Sequence, residues 1–206
     1  MVNMENKYIL FVGATGVGKS AIIDKIQEKL NKTIAVYSDP FVNNPFITQS
    51  YVENQYTFQS QMFFFKEFLK IHNKISTSPE MIIFQERSIY ESVNIFCELY
   101  LKSSKINLNE FLLFEELLQI TSTNFRKPDY IIHLTATPNV ILNRIRLRNR
   151  SFEQKITEDF IKLQQTLYKQ WLFRFQKEYS IPVINIDTSN KSMESIAEDC
   201  LQIMIE

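Results

Sequence analysis

The chain contains very little glycine. Only 3 of its 206 residues are glycine, whereas average usage is about 7%. All of them lie in the stretch 13–20, which reads GATGVGKS. Glycine is favoured where φ is positive or where a side chain would clash. We therefore expect the backbone of this stretch to approach another group closely.

The chain also lacks an excess of either charge, a long hydrophobic run and paired cysteines. Lys plus Arg and Asp plus Glu both number 23, so no global basic field favours a nucleic acid polymer as partner. The run 8–12 is too short for a signal peptide or a membrane span, which favours a cytoplasmic protein without membrane contact. Cys97 and Cys200 lack the spacing of a zinc or redox site, so two buried free thiols are expected.

Short β-branched or aromatic runs alternate with longer stretches of helical periodicity. The short runs predict strands at 8–12, 33–37, 81–84, 130–134 and 182–186. The apolar spacing predicts helices at 19–31, 55–75, 89–102, 108–123, 138–148, 157–178 and 191–204. This alternation indicates an α/β fold, an open parallel five-stranded sheet with helices on both faces. The length is suited to a single domain spanning 1–206.

The glycine-containing stretch fits the P-loop pattern G-x-x-x-x-G-K-S/T, and it lies between a predicted strand and a predicted helix, as a P-loop should. Its backbone N–H groups are expected to surround phosphates, and the glycines to keep Cβ atoms out of their way. Lys19 is expected to face solvent without ligand and to reach the β- and γ-phosphates of ATP or another triphosphate, and Ser20 to coordinate Mg²⁺. The predicted triphosphate-binding residues of the loop are Gly13, Ala14, Thr15, Gly16, Val17, Gly18, Lys19 and Ser20.

Two classes of P-loop protein do not fit the rest of the chain. A regulatory GTPase would carry Asn-Lys-x-Asp to recognise guanine, but the similar string that starts at Asn190 ends in Met193. An ABC-type ATPase needs a glycine-rich signature, and the chain has no further glycine. Other stretches instead indicate phosphoryl transfer onto a small molecule.

Polar residues follow two of the predicted strands. Glu86 and Arg87 come at the end of the third strand, at the sheet edge where ligands bind in α/β proteins. Glu86 can hold Mg²⁺ together with Ser20, and Arg87 can bind a phosphate oxygen. Asp39 precedes a proline after the second strand. Its carboxylate can either accept the proton of an attacking hydroxyl or cap a turn.

Arginines cluster at the end of the predicted helix 138–148. Four of them lie at 144, 146, 148 and 150, and their guanidinium groups repel one another unless an anion lies among them. The segment 146–157 is therefore predicted to be a lid, with Arg144, Arg148 and Arg150 binding the triphosphate and stabilising the transferring group. A solvated basic helix end, favoured by the helix dipole, is the alternative.

With these motifs in this order, the chain resembles the deoxynucleoside kinases of the P-loop superfamily, most of all the compact bacterial members. The resemblance covers nearly the whole chain. Its most specific parts are Glu86-Arg-Ser88, the R-x-x-x-R-x-R pattern from Arg144, and the spacing of Asn44-Pro45, Tyr51 and Gln61. It implies a P-loop NTPase fold with a short lid, and an ATP- and Mg²⁺-dependent kinase that phosphorylates the 5′-hydroxyl of a deoxynucleoside in nucleotide salvage. It also implies a homodimer formed through helices.

The resemblance implies roles for individual residues. The general base would be Asp39, where the family usually has the longer Glu, so a bridging water is an alternative to direct proton transfer. Asn149 stands where the lid of the family has Gly, and Asn also tolerates a left-handed turn. The implied nucleoside contacts are Arg87 to phosphate and the 5′-hydroxyl, Tyr51 and Glu153 to the 3′-hydroxyl, Gln61 to the base edge, and Phe96 stacked on the base.

The base and the reaction class leave alternatives open. Phe68 and Ser92 stand where purine- and cytosine-directed members have Arg and Asp, which favours a pyrimidine, although the Gln61 amide can also pair with adenine. A nucleoside monophosphate kinase of the thymidylate kinase type would need a further cation in the acceptor pocket, and Phe68 argues against it. A catalytically silent nucleotide-binding module is favoured only by the replacement at Asp39.

Overall fold

The computed structural model describes residues 7–30, 34–79 and 82–205. The strands are β1 (Lys7–Val12), β2 (Ile34–Tyr37), β3 (Ile82–Glu86), β4 (Tyr130–Thr135) and β5 (Val183–Asp187). The helices are α1 (Lys19–Lys29), α2 (Thr57–Thr77), α3 (Ile89–Glu91), α4 (Glu98–Lys102), α5 (Leu108–Thr121), α6 (Pro138–Arg148), α7 (Glu158–Tyr179) and α8 (Met193–Ile205).

The five strands form one parallel sheet in the order β2-β3-β1-β4-β5. In the register, Phe11 of β1 is the partner of Glu86, and Val12 is the partner of His133. The loop that follows β1 therefore leaves the sheet beside the end of β3, at the carboxyl edge where ligands bind in such sheets. The predicted open, parallel five-stranded α/β sheet is confirmed.

The sheet is covered on both faces, as the fully buried central strand β1 requires. Tyr8, Leu10 and Val12 belong to a core cluster with the helices from α2 to α5 and most of α7. Ile9 and Phe11, which point to the opposite face, belong to a second cluster built mainly from α1, α6 and α8. Burial on both faces explains why β1 is a continuous apolar run rather than an alternating one.

The predicted elements agree with the structure to within two residues at most ends, whereas Asn31, Thr33 and Met81, at the ends of predicted elements, lie outside the described residues. The helix predicted over 89–102 is interrupted, since a π-helical stretch, Ser92–Cys97, separates α3 from α4. Short helical turns at Pro40–Asn43 and Gln49–Glu53 were not predicted. Such turns are shorter than the window in which apolar periodicity can be detected.

Two further expectations concern side chains and membranes. Cys97 and Cys200 are buried free thiols, as predicted. Among the described residues, no helix combines the length and the apolar character that crossing a membrane requires.

Candidate active site

The P-loop joins β1 to α1 through three residues with positive φ, namely 140° at Gly13, 86° at Gly16 and 109° at Gly18. A Cβ on Gly13 would lie 2.4 Å from the carbonyl oxygen of Leu134, and one on Gly16 would lie 2.6 Å from Cγ1 of Ile145. The expected close approach of backbone is confirmed. At these two glycines, however, the crowding comes from β4 and α6 of the chain itself.

Lys19 lies inside the loop rather than in solvent, so the expectation of a solvent-facing side chain is wrong. The residue is only 9% exposed to solvent. Its Nζ donates to the carbonyl oxygens of Gly13 at 2.8 Å and Ala14 at 3.3 Å. Burial lowers the pKa of the ammonium group, and nearby carboxylates, Glu86 foremost, oppose that effect. The ammonium group therefore lies beside the loop, bound to carbonyl oxygens that a phosphate can replace.

Ser20 and Glu86 bring oxygen ligands together at the start of α1 and the end of β3. The Ser20 Oγ lies 2.9 Å from both carboxylate oxygens of Glu86. Mg²⁺ prefers oxygen ligands and is usually held by one or two protein groups plus substrate phosphates and water. The chemistry of this pair therefore fits the predicted magnesium site.

Arg87 occupies the centre of the site with a strained backbone, since its φ is 62°. Its Nη1 donates to Oδ2 of Asp39 at 3.2 Å, and its guanidinium carbon lies 3.6 Å from the ring centroid of Phe96 and 4.5 Å from that of Phe64. Burial opposes its charge, but Asp39 and other nearby groups hold the pKa above its ordinary value. The Nε and Nη2 atoms have no hydrogen-bond partner in the described part of the chain. They are therefore available to a ligand.

Asp39 caps a turn, which is one of the two roles that its sequence position allows. Its Oδ1 accepts the backbone N–H of Phe41 at 3.1 Å and so caps the short turn that begins at Pro40. Its Oδ2 accepts the hydrogen bond from Arg87. The side chain is 18% exposed and lines the same cleft as Lys19. Its role as a general base stays a prediction.

The four residues implied to surround the base are buried. Phe96 and Phe68 are covered by the guanidinium group of Arg87. Gln61 and Ser92 are also buried, and within the described residues neither the Gln61 amide nor the Ser92 hydroxyl has a hydrogen-bond partner. Buried polar groups without partners are rare in proteins. A contact of these groups with a base stays a prediction.

The two residues implied to bind the sugar meet the lid. The ring of Tyr51 lies edge-on to that of Tyr100, with centroids 6.4 Å apart, and burial raises the pKa of the Tyr51 hydroxyl. Glu153 is 3% exposed and accepts two bonds of 2.6 Å from Nε and Nη2 of Arg148, while Arg150 lies 3.6 Å away. Arg148 is thus a partner of Glu153 in this structure.

The predicted lid packs on the connection between β2 and α2. Asn149 ends α6 with φ 49° and ψ 41°, which confirms the expected left-handed turn. The Phe152 ring centroid lies 5.6 Å from that of Tyr51, and the Arg150 guanidinium carbon lies 4.0 Å from the ring centroid of Phe41. Lys155 donates to the carbonyl oxygen of Val52 at 2.6 Å. The segment is therefore anchored to that connection, and its role as a lid stays a prediction.

Arg144 links the P-loop to the end of the sheet. Its Nη1 donates to the carbonyl oxygen of Val17 and to Oγ1 of Thr188, both at 2.8 Å, and its Nη2 donates to the carbonyl oxygen of Thr188 at 2.7 Å. Burial lowers its pKa, whereas Asp187 acts in the opposite direction. Neither Arg144 nor Arg148 is a freely solvated helix-end residue. A direct contact of Arg144 with a triphosphate stays a prediction.

Two cavities meet in the middle of the site. The one lined by Asp39, Arg87 and Glu153 has a free volume of about 60 Å³. The other, lined by Gly18, Arg144 and Met193, has about 290 Å³. The residues lining both are Gly16, Lys19, Ser20, Glu86, Arg148 and Arg150. This geometry separates a donor side from an acceptor side, with the predicted phosphate-binding groups between them.

Three buried polar residues behind the P-loop were not singled out by the sequence patterns. Gln164 of α7 accepts the backbone N–H of Thr15 at 3.0 Å, and Tyr168 of α7 donates to Glu91 of α3 at 2.8 Å. The available signal was a pair of polar residues four apart on the apolar face of α7. This pair of polar residues matches no known motif. Only the tertiary contacts show what the two side chains do.

Comparison with known proteins shows what the chain is similar to. The model of the family described as deoxynucleoside kinase matches residues 9–206. Deoxyadenosine kinase of Dictyostelium discoideum is 27% identical over 188 residues, which cover 91% of this chain and 74% of that protein. Deoxyadenosine kinase of Lactobacillus acidophilus is 29% identical over 160 residues, which cover 75% of this chain and 72% of that protein.

A solved structure shows the same fold. Deoxyadenosine kinase from M. mycoides, with the products dCMP and a flexible dCDP bound, superimposes with a TM-score of 0.81 at 21% identity. The match covers 96% of this chain and 98% of that one. The arrangement of sheet and helices is therefore shared over 96% of this chain.

Proposed function

The chain belongs to the deoxynucleoside kinase family, and we propose that its site transfers the γ-phosphoryl group of ATP to the 5′-hydroxyl of a deoxynucleoside. The family consists of phosphotransferases. The observation that carries this proposal is the meeting of two pairs at one cleft, Ser20 with Glu86 on the donor side and Asp39 with Arg87 on the acceptor side.

On the donor side, the triphosphate would replace internal partners of the loop. Lys19 would exchange the carbonyls of Gly13 and Ala14 for phosphate oxygens, because a charged phosphate is the stronger acceptor. Ser20 and Glu86 would hold Mg²⁺, which supplies positive charge to the β- and γ-phosphates. The remaining N–H groups of the loop at the start of α1 would surround the phosphates.

On the acceptor side, the base would displace the Arg87 guanidinium group from Phe96. The free volume of about 60 Å³ holds about two water molecules at roughly 30 Å³ each, so the cleft must open for a nucleoside. Displacement would bring the unpartnered amide of Gln61 to the base edge. It would also turn the free Nε and Nη2 of Arg87 towards the transferring phosphoryl group.

Asp39 would then accept the proton of the 5′-hydroxyl, directly or through one water. The cap formed by its Oδ1 holds the carboxylate in the cleft, and displacement of Arg87 would free Oδ2 for the hydroxyl. Because phosphoryl transfer passes through a loose transition state, positioning and charge stabilisation contribute most of the rate. General-base assistance by Asp39 contributes the smaller part of the rate.

The lid would join the sugar to the transferring group. Glu153 and Tyr51 would bind the 3′-hydroxyl, and Glu153 also orients Arg148 through two hydrogen bonds. These bonds use Nε and Nη2 of the guanidinium group, and Arg148 lines the same cavity as Lys19. Arg148 and Arg150 would therefore stabilise charge on the phosphoryl group only when the lid is closed.

We keep a pyrimidine such as thymidine as the preferred base. Phe68 and Ser92 bring no charge to the base pocket, and Phe68 is packed against Phe64 with ring centroids 6.3 Å apart. A purine or cytosine preference would need other polar partners for the base edge. The names of the relatives include deoxyadenosine kinases, so adenine is the alternative.

We also propose one domain over 1–206 with the lid at 146–157, working as a cytoplasmic homodimer. Support for the dimer comes from large hydrophobic side chains that α5 leaves exposed, namely Leu108, Leu112, Leu113 and Ile120. A second copy that covers this helix would remove their contact with water. Light scattering on the eluting protein should give twice the chain mass, and a Leu112→Glu variant should give the chain mass.

The reaction class is tested by offering deoxynucleosides and their monophosphates, one at a time, with radiolabelled ATP and Mg²⁺. Label is expected on a free deoxynucleoside and on no monophosphate. Turnover of dTMP without turnover of any nucleoside would identify a monophosphate kinase. Tight ATP binding with no turnover at all would identify a silent module.

A further inference from the structure

Glu91 is a fully buried carboxylate to which the proposed mechanism assigns no part. Its Oε1 accepts the hydroxyl of Tyr168 at 2.8 Å, and its Oε2 accepts the hydroxyl of Ser88 at 3.2 Å. Within the described part of the chain it makes no ion pair, and burial raises its pKa to about 7. Burying a carboxylate costs free energy unless an ion pair or hydrogen bonds compensate it.

Tyr168 connects this carboxylate to the helix that holds the P-loop. One turn earlier on the same face of α7, Gln164 accepts the backbone N–H of Thr15 in the loop at 3.0 Å. The back of the loop is therefore held by α7, and Glu91 fixes α7 through the Tyr168 hydroxyl.

Glu91 also joins the two segments that flank the reacting phosphate. Ser88 directly follows Arg87, so the carboxylate connects that segment to α7 through Tyr168, and α7 in turn holds the loop through Gln164. Charged groups face it from two sides, since Lys19 of α1 and Arg87 after β3 both favour its ionised form. In return, Glu91 is one of the carboxylates that favour the charged form of Lys19.

We propose that Glu91 is a positioning residue for phosphoryl transfer, which acts through Tyr168 to hold α7, and with it the Thr15 segment of the P-loop, in register with the Arg87 segment. This inference rests on the proposed kinase function. Glu91 touches neither ATP nor nucleoside. Its removal lets the loop relax, and a displacement of about 1 Å remote from the chemistry can cost about 100-fold in rate.

The test compares Glu91→Gln, Tyr168→Phe and the double variant with Tyr90→Phe as the matched control. Tyr90 is also buried and adjoins Glu91 in α3. Its hydroxyl accepts a hydrogen bond from Lys127 at 2.6 Å, and among the described residues it makes none to the loop. For each protein, kcat/KM for ATP, KM for the nucleoside, the melting temperature and calorimetric ATP affinity are measured.

We expect Glu91→Gln and Tyr168→Phe each to lower kcat/KM for ATP about 10- to 100-fold, with KM for the nucleoside within about twofold of wild type. The double variant should lose no more than the worse single variant, because residues that act as one unit are not additive. Tyr90→Phe should keep wild-type kinetics.

Additive losses, or equal losses in Tyr90→Phe, would overturn the proposal and leave Glu91 a part of the core. Unchanged kcat/KM for ATP in a folded Glu91→Gln variant would do the same. If Glu91→Gln fails to fold, Tyr168→Phe alone decides between the outcomes. Calorimetric ATP affinity needs no turnover, so it tests Glu91 even if the wild-type protein phosphorylates no nucleoside. The absence of nucleoside phosphorylation would count against the proposed function alone.

Discussion

Replacing Asp39 with Asn separates its cap from its charge. Asn caps a helical turn as well as Asp does, so the bond to the N–H of Phe41 should survive. The negative charge that is paired with Arg87 at 3.2 Å is lost. General-base assistance contributes about 10²- to 10⁴-fold, and the loose transition state needs little of it. We therefore expect kcat to fall about 100-fold.

The assay measures kcat at saturating ATP and nucleoside affinity by calorimetry for Asp39→Asn, Asp39→Glu and Asp39→Ala. Nucleoside affinity should change little in the Asn variant, and the Glu variant should keep or raise the rate if the carboxylate acts directly. Asp39→Ala also loses the cap, which costs about 1 kcal/mol and lowers the melting temperature by about 2–4 °C in a chain of this size. An Asn variant that retains half of wild-type turnover would refute the general-base assignment.

Three other substitutions have expected outcomes. Lys19→Ala should lower kcat at least about 100-fold through lost charge stabilisation, and near-normal turnover would remove the P-loop from the mechanism. Gln61→Leu should raise KM for the nucleoside about 5- to 100-fold without lowering the melting temperature, because the free protein leaves that amide unpartnered; a large loss of stability would show a structural amide instead. Gly16→Ala should destabilise the fold by about 1–2 kcal/mol or more, since φ is 86° and the new Cβ would lie 2.6 Å from Ile145; an unchanged melting temperature would contradict this.

The sheet and the P-loop could be predicted because both rest on local patterns. Strand runs such as 8–12 and helical periodicity such as 138–148 are periodic signals that packing then uses unchanged. The π-helical stretch Ser92–Cys97 could not be found in this way, because its apolar residues also fit a regular helix. Its shape depends on the neighbours against which it packs.

Contacts between distant residues explain the remaining differences in the site. The bond between Tyr168 and Glu91 joins residues 77 positions apart, and no spacing rule covers that. The sequence predicts a solvent-facing Lys19, whereas in the structure the carbonyls of Gly13 and Ala14 hold its ammonium group inside the loop. Arg148 shows the same effect, since Glu153 is its partner here.

Transfer to the 5′-hydroxyl is tested most directly by the position of the label in the product. The purified chain is incubated with γ-labelled ATP and either a deoxynucleoside or the matching analogue that lacks the 5′-hydroxyl, and the products are identified by chromatography and ³¹P NMR. The account predicts a 5′-monophosphate from the nucleoside, no label on the analogue, and competition by the analogue for the nucleoside site. Label on the analogue, or at the 3′-oxygen, would contradict it.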